Sequence, residues 1–154
     1  MRLRLILVGR TERGHVADGL EYYLSRIGRP GQVELTVVAD AGRGEPPWQQ
    51  RTESERALAA LRPGGKVVVL DERGKPLTSP AFAQQLGTWR DQGVRDTAFL
   101  IGGAYGFTDE VRQRADLVLS LSQMVFPHQL VRVLFAEQLY RALSILKGSG
   151  YHHG

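Results

Sequence analysis

The chain has 154 residues, enough for one domain with a real core. Hydrophobic residues make up 42% and charged residues 23%, which excludes a disordered chain, and the apolar runs around Leu5–Val8 and Val67–Leu70 are too short to cross a bilayer. The absence of cysteine excludes disulfides, iron–sulfur clusters, thiolate zinc sites and cysteine nucleophiles together, and the formal charge of +4 suggests a polyanionic partner.

Arg2 and Arg4 are followed by no long apolar stretch and no small-residue cleavage site, so no secretory leader is expected. A cytoplasmic protein fits both this and the lack of cysteine. There is no internal repeat. A first strand is predicted over 2–8, ending at Gly9. A helix over 16–27 follows, with Leu20, Tyr23, Leu24 and Ile27 on one face and Gly28 as its stop. The β-branched run 33–38 reads as a strand, and 39–47, rich in Gly and Pro, as a mobile loop. A helix over 50–61 would turn Ala57, Leu58 and Leu61 inward. The continuous apolar run 66–70 reads as a strand buried on both faces. Ser79-Pro80 offers a cap and a first-turn proline for a helix to Asp91. A strand over 97–101, a short helix capped by Thr108 and ending near Ala115, and a strand over 117–121 come next. The longest helix covers 129–146, and a polar tail runs from Lys147 to Gly154.

Strand and helix alternate throughout, which implies an α/β fold: a mostly parallel sheet flanked by helices, here in a single domain over 1–154. Ligands of such sheets bind beyond the carboxyl ends of the strands. That rule singles out residues 71–78, 102–107 and 122–128, expected to converge on one pocket. Gly102-Gly103-Ala104-Tyr105-Gly106 reads as a tight strand-to-helix turn or as a loop that lets a ligand approach the backbone. It has neither dinucleotide nor P-loop spacing, which argues against a nucleotide-dependent oxidoreductase. The run from Ser120 to His128 is either a plain hydrophobic connection or a wrap for an adenine ring, with Met124 and Phe126 as walls. Asp71 and Glu72 suit a ribose, or simply lie in solvent.

In the last helix the apolar residues exceed one stripe, so one face can pack on the sheet and another on a second copy. Arg132 and Arg141 suit phosphate, or pair with Glu137, or sit on a solvated face. His128 suits a hydrogen bond that holds its loop. In the tail, Tyr151 can stack on a base and His152 can move a proton near neutral pH, unless the terminus simply frays. His152 and His153 have no third ligand nearby, so no metal site is expected.

Several stretches match one family in order: Leu70-Asp71 with Gly74-Lys75; Ile101-Gly102-Gly103 with Gly106; Ser122-x-Met124-x-Phe126-Pro127-His128-Gln129-Leu130-x-Arg132-Val133; Glu137-Gln138-x-Tyr140-Arg141-Ala142; and the closing Tyr151-His152. On these, nearly the whole chain resembles the RlmH family, small SPOUT-class methyltransferases acting on a pseudouridine of 23S ribosomal RNA. The resemblance implies a SPOUT-type fold with a C-terminal trefoil knot, a homodimer with cofactor sites near the subunit interface, and S-adenosyl-L-methionine as cofactor. It implies that Leu70, Gly102, Leu121, Ser122, Gln123, Met124, Val125 and Phe126 line the cofactor site, with Gly103 and Gly106 letting the chain bend around it. Two positions depart from the family: Ala104-Tyr105 lies where relatives vary, and His153 stands where many carry Lys or Arg.

The implied reaction methylates ring nitrogen 3 of the pseudouridine, which must lose its imide proton. A base or a cation that stabilises the uracil anion is therefore needed. His152, Tyr151 and Arg141 are the candidate catalytic residues. Arg132, Arg141, Tyr151 and His152 are the candidate RNA-binding residues. A short tail beside an interface implies that the tail of one subunit completes the site of the other. No separate RNA-binding domain is visible, so the target is expected in a large folded particle, the assembled ribosome. Arg2, Arg4, Arg10 and Arg13 are candidates to meet its phosphates. Two other readings remain at this stage: a non-catalytic ribosome-assembly factor of the same fold, and a SPOUT methyltransferase acting on tRNA or a ribose hydroxyl.

Overall fold

The structure, a computed structural model, describes residues 1–29 and 32–153; Gly154, the end of the expected tail, lies outside them. The elements alternate as β1 (Arg2–Val8), α1 (His15–Leu24), β2 (Val33–Val38), α2 (Pro46–Ala59), β3 (Lys66–Pro76), α3 (Ser79–Asp91), β4 (Asp96–Ile101), α4 (Asp109–Arg114), β5 (Leu117–Ser120) and α5 (His128–Lys147). The strands form one parallel sheet in the order β2-β1-β4-β3-β5. All their carboxyl ends therefore lie along one edge.

Continuous apolar strands follow from burial on both faces. On one face Leu3, Leu5, Leu7, Phe99 and Leu119 pack against α1, α3 and α5 through Leu20, Phe82, Leu86, Phe135 and Leu139. On the other, Ile6, Val8, Val69 and Leu100 meet Ala57 of α2 and Val111 of α4. Each fully buried side chain of this size contributes about 1.5–3 kcal/mol. At the β2 edge Leu35 and Val37 stay 45% and 48% exposed. Among the described residues no helix is long and apolar enough to cross a membrane.

Several boundaries differ from expectation for local reasons. The first helix ends at Leu24, because the Ile27 N–H donates to the Leu24 carbonyl and tightens the last turn. Ile27 still reaches the core. The second helix starts at Pro46, inside the expected loop, because prolines in a first turn lack only N–H groups that would be unpaired anyway. The cap of α3 is Thr78, whose Oγ1 accepts from the Ala81 N–H; Ser79 is already helical and its hydroxyl donates to Gln138 Oε1 at 2.6 Å. Thr108 occupies the cap position of α4 but its side chain makes no cap bond.

Candidate functional site

The corner of β3 and β5 departs furthest from regular pairing. Leu70 and Lys75 both lie opposite Leu119, so residues 71–74 leave the ladder between them. Gly74 allows the excursion to close, since a Cβ there would stand 2.6 Å from the Val118 carbonyl oxygen. The excursion presents Asp71, whose carboxylate accepts from Arg73 at 3.1 Å and from Arg112 Nη1 at 3.2 Å. Burial opposes its charge, but the two guanidinium groups outweigh that and hold its pKa below the usual carboxylate value.

Facing this excursion is the loop after β5. The Ser120 hydroxyl donates to the Ser122 carbonyl, and Ser122 Oγ accepts from the Met124 N–H, both at 2.9 Å. This local stapling leaves Met124 and Val125 turned outward, 74% and 76% exposed. Large apolar side chains this open mark a surface that a ligand or partner covers. Leu70, Asp71, Glu72, Leu121, Ser122 and Met124 surround a small cavity of about 60 Å³. Leu121, Ser122 and Phe126 also wall a neighbouring cavity of about 370 Å³, closed by Leu77, Phe82 and Glu137. The second falls in the ordinary size range of ligand sites. A larger apolar cavity of about 490 Å³ lies between α1 and β2, away from these loops.

The third expected loop does not share that space. Gly103 lines a separate cavity of about 210 Å³ at the carboxyl ends of β1 and β4, together with Glu53, Asp40 and His128. Gly102 is buried, and neither it nor Gly106 lines any of these cavities. Gln123 and Val125 sit on the exposed turn without lining a cavity. The glycine turn is nonetheless tied to the first of these loops and to α2. Arg112 donates both to the Phe107 carbonyl, at 2.9 Å, and to Asp71. Gln50 of α2 donates to the carbonyls of Tyr105 and Phe107 at 3.1 and 3.2 Å, and Ser54 Oγ accepts from the Thr108 N–H.

The tail folds back onto α5. Gly148 takes a left-handed conformation (φ 73°) that ends the helix, and the Ser149 N–H then closes onto the Ser144 carbonyl. The reversal stacks Tyr151 edge-on against Tyr140, with ring centroids 4.6 Å apart, and under the Arg141 guanidinium at 4.9 Å. Burial, with Glu137 and Tyr23 nearby, raises the Tyr151 pKa, so the phenol keeps its proton at neutral pH. Arg141 is itself held by Glu137 at 2.9 Å, which raises its pKa further. Its Nη1 meets His152 Nδ1 at 3.0 Å. A guanidinium has no lone pair to offer, so Nδ1 accepts and the proton of the neutral ring sits on Nε2. That nitrogen is buried and has no partner among the described residues. In this arrangement His152 is a hydrogen-bond donor, and its basic nitrogen is occupied. Tyr151 and His152 line neither cavity beside the β5 loop.

Arg132 has a different task from the expected one. It is fully buried and donates to the carbonyls of Val8 and Gly9, at 2.6 and 3.0 Å, and to Thr11 Oγ1. Its guanidinium clamps the end of β1 and presents nothing to RNA. Burial lowers its pKa, an effect the nearby Glu12 opposes. Arg4 is also buried, donating to the Ala60 carbonyl, whereas Arg2, Arg10 and Arg13 are exposed.

Sequence reasoning passes over Gln50, Glu53, Ser54 and Arg112. For the first three a signal exists: Glu53 and Ser54 fall one turn before Ala57 and Gln50 two turns before it, on the stripe predicted to face inward. Arg112 stands among other charged residues of a short helix and carries no such signal.

The family model described as "Predicted SPOUT methyltransferase" matches residues 1–152. A protein of Rhodospirillum centenum named ribosomal RNA large subunit methyltransferase H is 49% identical over 152 residues, covering 99% of each chain. Proteins of the same name from Cereibacter sphaeroides and Geobacter sp. are 48% and 43% identical, again over 99% of each chain. Among solved structures, a probable methylase family protein of Haemophilus influenzae superposes with a TM-score of 0.60 at 12% identity, over 99% of this chain and 70% of that one, a likeness of fold alone.

Proposed function

We propose, from the premise that this chain belongs to the SPOUT methyltransferase family, that it methylates ring nitrogen 3 of a pseudouridine in 23S ribosomal RNA, on the assembled ribosome and with S-adenosyl-L-methionine as donor. The observation that carries this reading is the meeting of Leu70, Asp71 and Glu72 with Leu121, Ser122 and Met124 around one space at the carboxyl ends of β3 and β5. The reading includes one SPOUT domain over residues 1–154, its C-terminal trefoil knot, a homodimer and a cytoplasmic location, where ribosomes are.

The residues fit the donor. Leu119, Leu121, Phe126 and Leu134 give apolar walls for a purine, while Ser79, Ser122 and Glu137 supply polar groups at the rim. Glu72 and Asp71 stand where a ribose would need acceptors. Met124 and Val125 are free to fold over the bound group with Gln123 on the same turn, and Gly102, Gly103 and Gly106 act through the turn that Arg112 ties to Asp71. When bound, the donor supplies an electrophilic methyl on a sulfonium.

Methylation at N3 would join that nitrogen to the donor's methyl as the carbon–sulfur bond yields its electron pair to sulfur, and would pass the N3 proton to solvent water, since the basic nitrogen of His152 is occupied. The protein must hold the reacting atoms in line, which alone can supply much of the rate. It must also stabilise negative charge spreading onto the base carbonyls. His152 Nε2–H, buried in the single chain, is the donor this reading brings to that charge when the tail meets the partner's site, with Arg141 behind it as the permanent cation. Tyr151, as a neutral phenol, offers a ring face and an O–H. Arg141, Tyr151 and His152 also make up the RNA contact on this reading. The tail of one subunit serves the site of its partner; the absence of Tyr151 and His152 from the lining of both nearby cavities supports this. Partly exposed Leu130 of α5, with Leu134 at the edge of the neighbouring cavity, offers apolar surface for the second copy beside the donor site.

Mass spectrometry of large-subunit ribosomal RNA from cells with and without this protein tests the proposal. One methylated pseudouridine should vanish on deletion and return with the wild-type chain. Unchanged nucleosides, or a methyl lost only from tRNA, would overturn it.

A further inference from the structure

The cavity at the carboxyl ends of β1 and β4 is not used by the mechanism above. It measures about 210 Å³, and its lining includes Val8, Asp40, Glu53, Gly103, Tyr105 and His128. Glu53 is the unusual member. It is only 5% exposed, and no cation pairs with it among the described residues. Its Oε2 accepts from the Ala41 N–H at 3.0 Å, but Oε1 has no partner. A buried acceptor left in this state is costly until a donor meets it. Oε1 is aimed at Gly103: a Cβ on that residue would lie 2.9 Å from Oε1 and 3.5 Å from Val8 Cγ1. Oε1 therefore packs directly against Gly103, and any side chain at 103 would push the carboxylate aside.

Position adds to chemistry. The glycine turn forms one wall of this cavity, and Arg112 ties the same turn to Asp71 beside the proposed donor site. The rim also carries Arg10, an exposed cation that can donate to carbonyl oxygens, while the Gln49 and Gln129 amides are held by the Gly44 and Arg10 carbonyls. A buried carboxylate with such a donor at its rim suits a planar base that offers an N–H beside its carbonyls. Pseudouridine has two such N–H groups, at N1 and N3, whereas uridine bears a C–H where pseudouridine has N1–H. A carboxylate holding N1–H leaves N3 free for methylation. Uridine in the same place would leave Oε1 unpaired.

We propose that Glu53, at the floor of the cavity walled by Gly103, accepts the N1–H of the target base and so makes the enzyme choose pseudouridine over uridine. This rests on the pseudouridine methyltransferase reading above.

The test uses reconstituted large subunits carrying either pseudouridine or uridine at the target position, with kcat/KM measured for both. The wild-type protein should prefer pseudouridine by about tenfold or more, the scale of one hydrogen bond to a charged group. Glu53→Gln distinguishes the roles of the two oxygens. Its single amide oxygen goes to the Ala41 N–H, so its NH2 faces the base and repels N1–H. The preference should fall towards one, with KM for the pseudouridine substrate rising. Gly103→Ala is the second variant: its φ lies outside the left-handed region, and its methyl group displaces only the flexible end of Glu53. It should lower the preference too, even if Glu53→Gln fails to fold. A wild-type preference that survives in either folded variant overturns the inference alone. Equal wild-type rates on the two substrates also overturn it. A wild-type protein that methylates neither overturns the underlying reading, and this inference with it.

Discussion

A single buried guanidinium shows how far a residue's task can differ from its type. Arg132 lies on a helix rich in apolar residues, and its sequence assigns it, like Arg141, to RNA phosphates. The structure separates them by depth: Arg132 satisfies two carbonyls at the end of β1, while Arg141 faces the tail. Arg132→Met should leave the Val8 and Gly9 carbonyls unpaired and cost about 3 kcal/mol. At about 2–4 °C per kcal/mol for a domain of this size, thermal unfolding should fall by roughly 6–12 °C. A variant that keeps its melting temperature but binds RNA weakly would restore the phosphate-binding role. Asp71 gives a pH prediction. Its folded pKa is lowered, so its stabilising contribution is present above the ordinary carboxylate pKa, near 4, and is lost as pH falls through the lower folded value. Denaturant midpoints measured from pH 6 down to pH 3 should therefore fall less steeply for Asp71→Asn than for the wild-type chain. Equal slopes would contradict the pairing with Arg73 and Arg112.

Elements were legible where periodicity was strong and hidden where it was interrupted. The strands 2–8 and 33–38 match in both boundaries because continuous apolar or β-branched runs leave little choice. The early start of α2 was masked by Pro46 and Pro47, which look like loop residues until their place in a first turn is known. The extension of β3 to Pro76 was hidden by the charged excursion 71–74, since no local pattern shows that a strand leaves its partner and returns. The site followed the same rule. The loops after β3 and β5 were found from their place in the topology, whereas the α2 residues that hold the glycine turn come from another part of the chain. The end of α5 gives a prediction at this scale. Gly148→Ala puts a side chain at a φ of 73° and should cost about 1 kcal/mol in stability. Because Tyr151 and His152 reach their places only through this reversal, methylation should fall by about tenfold or more, well beyond the loss in stability. Unaltered activity in a folded variant would remove the tail from the mechanism.

For the molecule as a whole, the account depends on sharing between subunits. The proposed dimer and knot leave no periodic trace in a sequence; both readings rest on the resemblance carried by the ordered motifs 122–133, 137–142 and 151–152. Isolated mixed dimers of a chain that lacks residues 149–154 and one carrying Leu121→Glu should show about half of wild-type activity, although neither homodimer is active. Each mixed dimer would then contain one intact donor site and one intact tail that meet. Failure to complement, with mixed dimers verified by mass, would place tail and donor site in the same subunit.

The most direct test is a crystal structure with S-adenosyl-L-methionine. The adenosine should lie between Leu70 and the turn from Leu121 to Phe126, with Met124 and Val125 folded over it. A donor seated instead in the apolar cavity between α1 and β2, with those side chains still turned to solvent, would contradict the account.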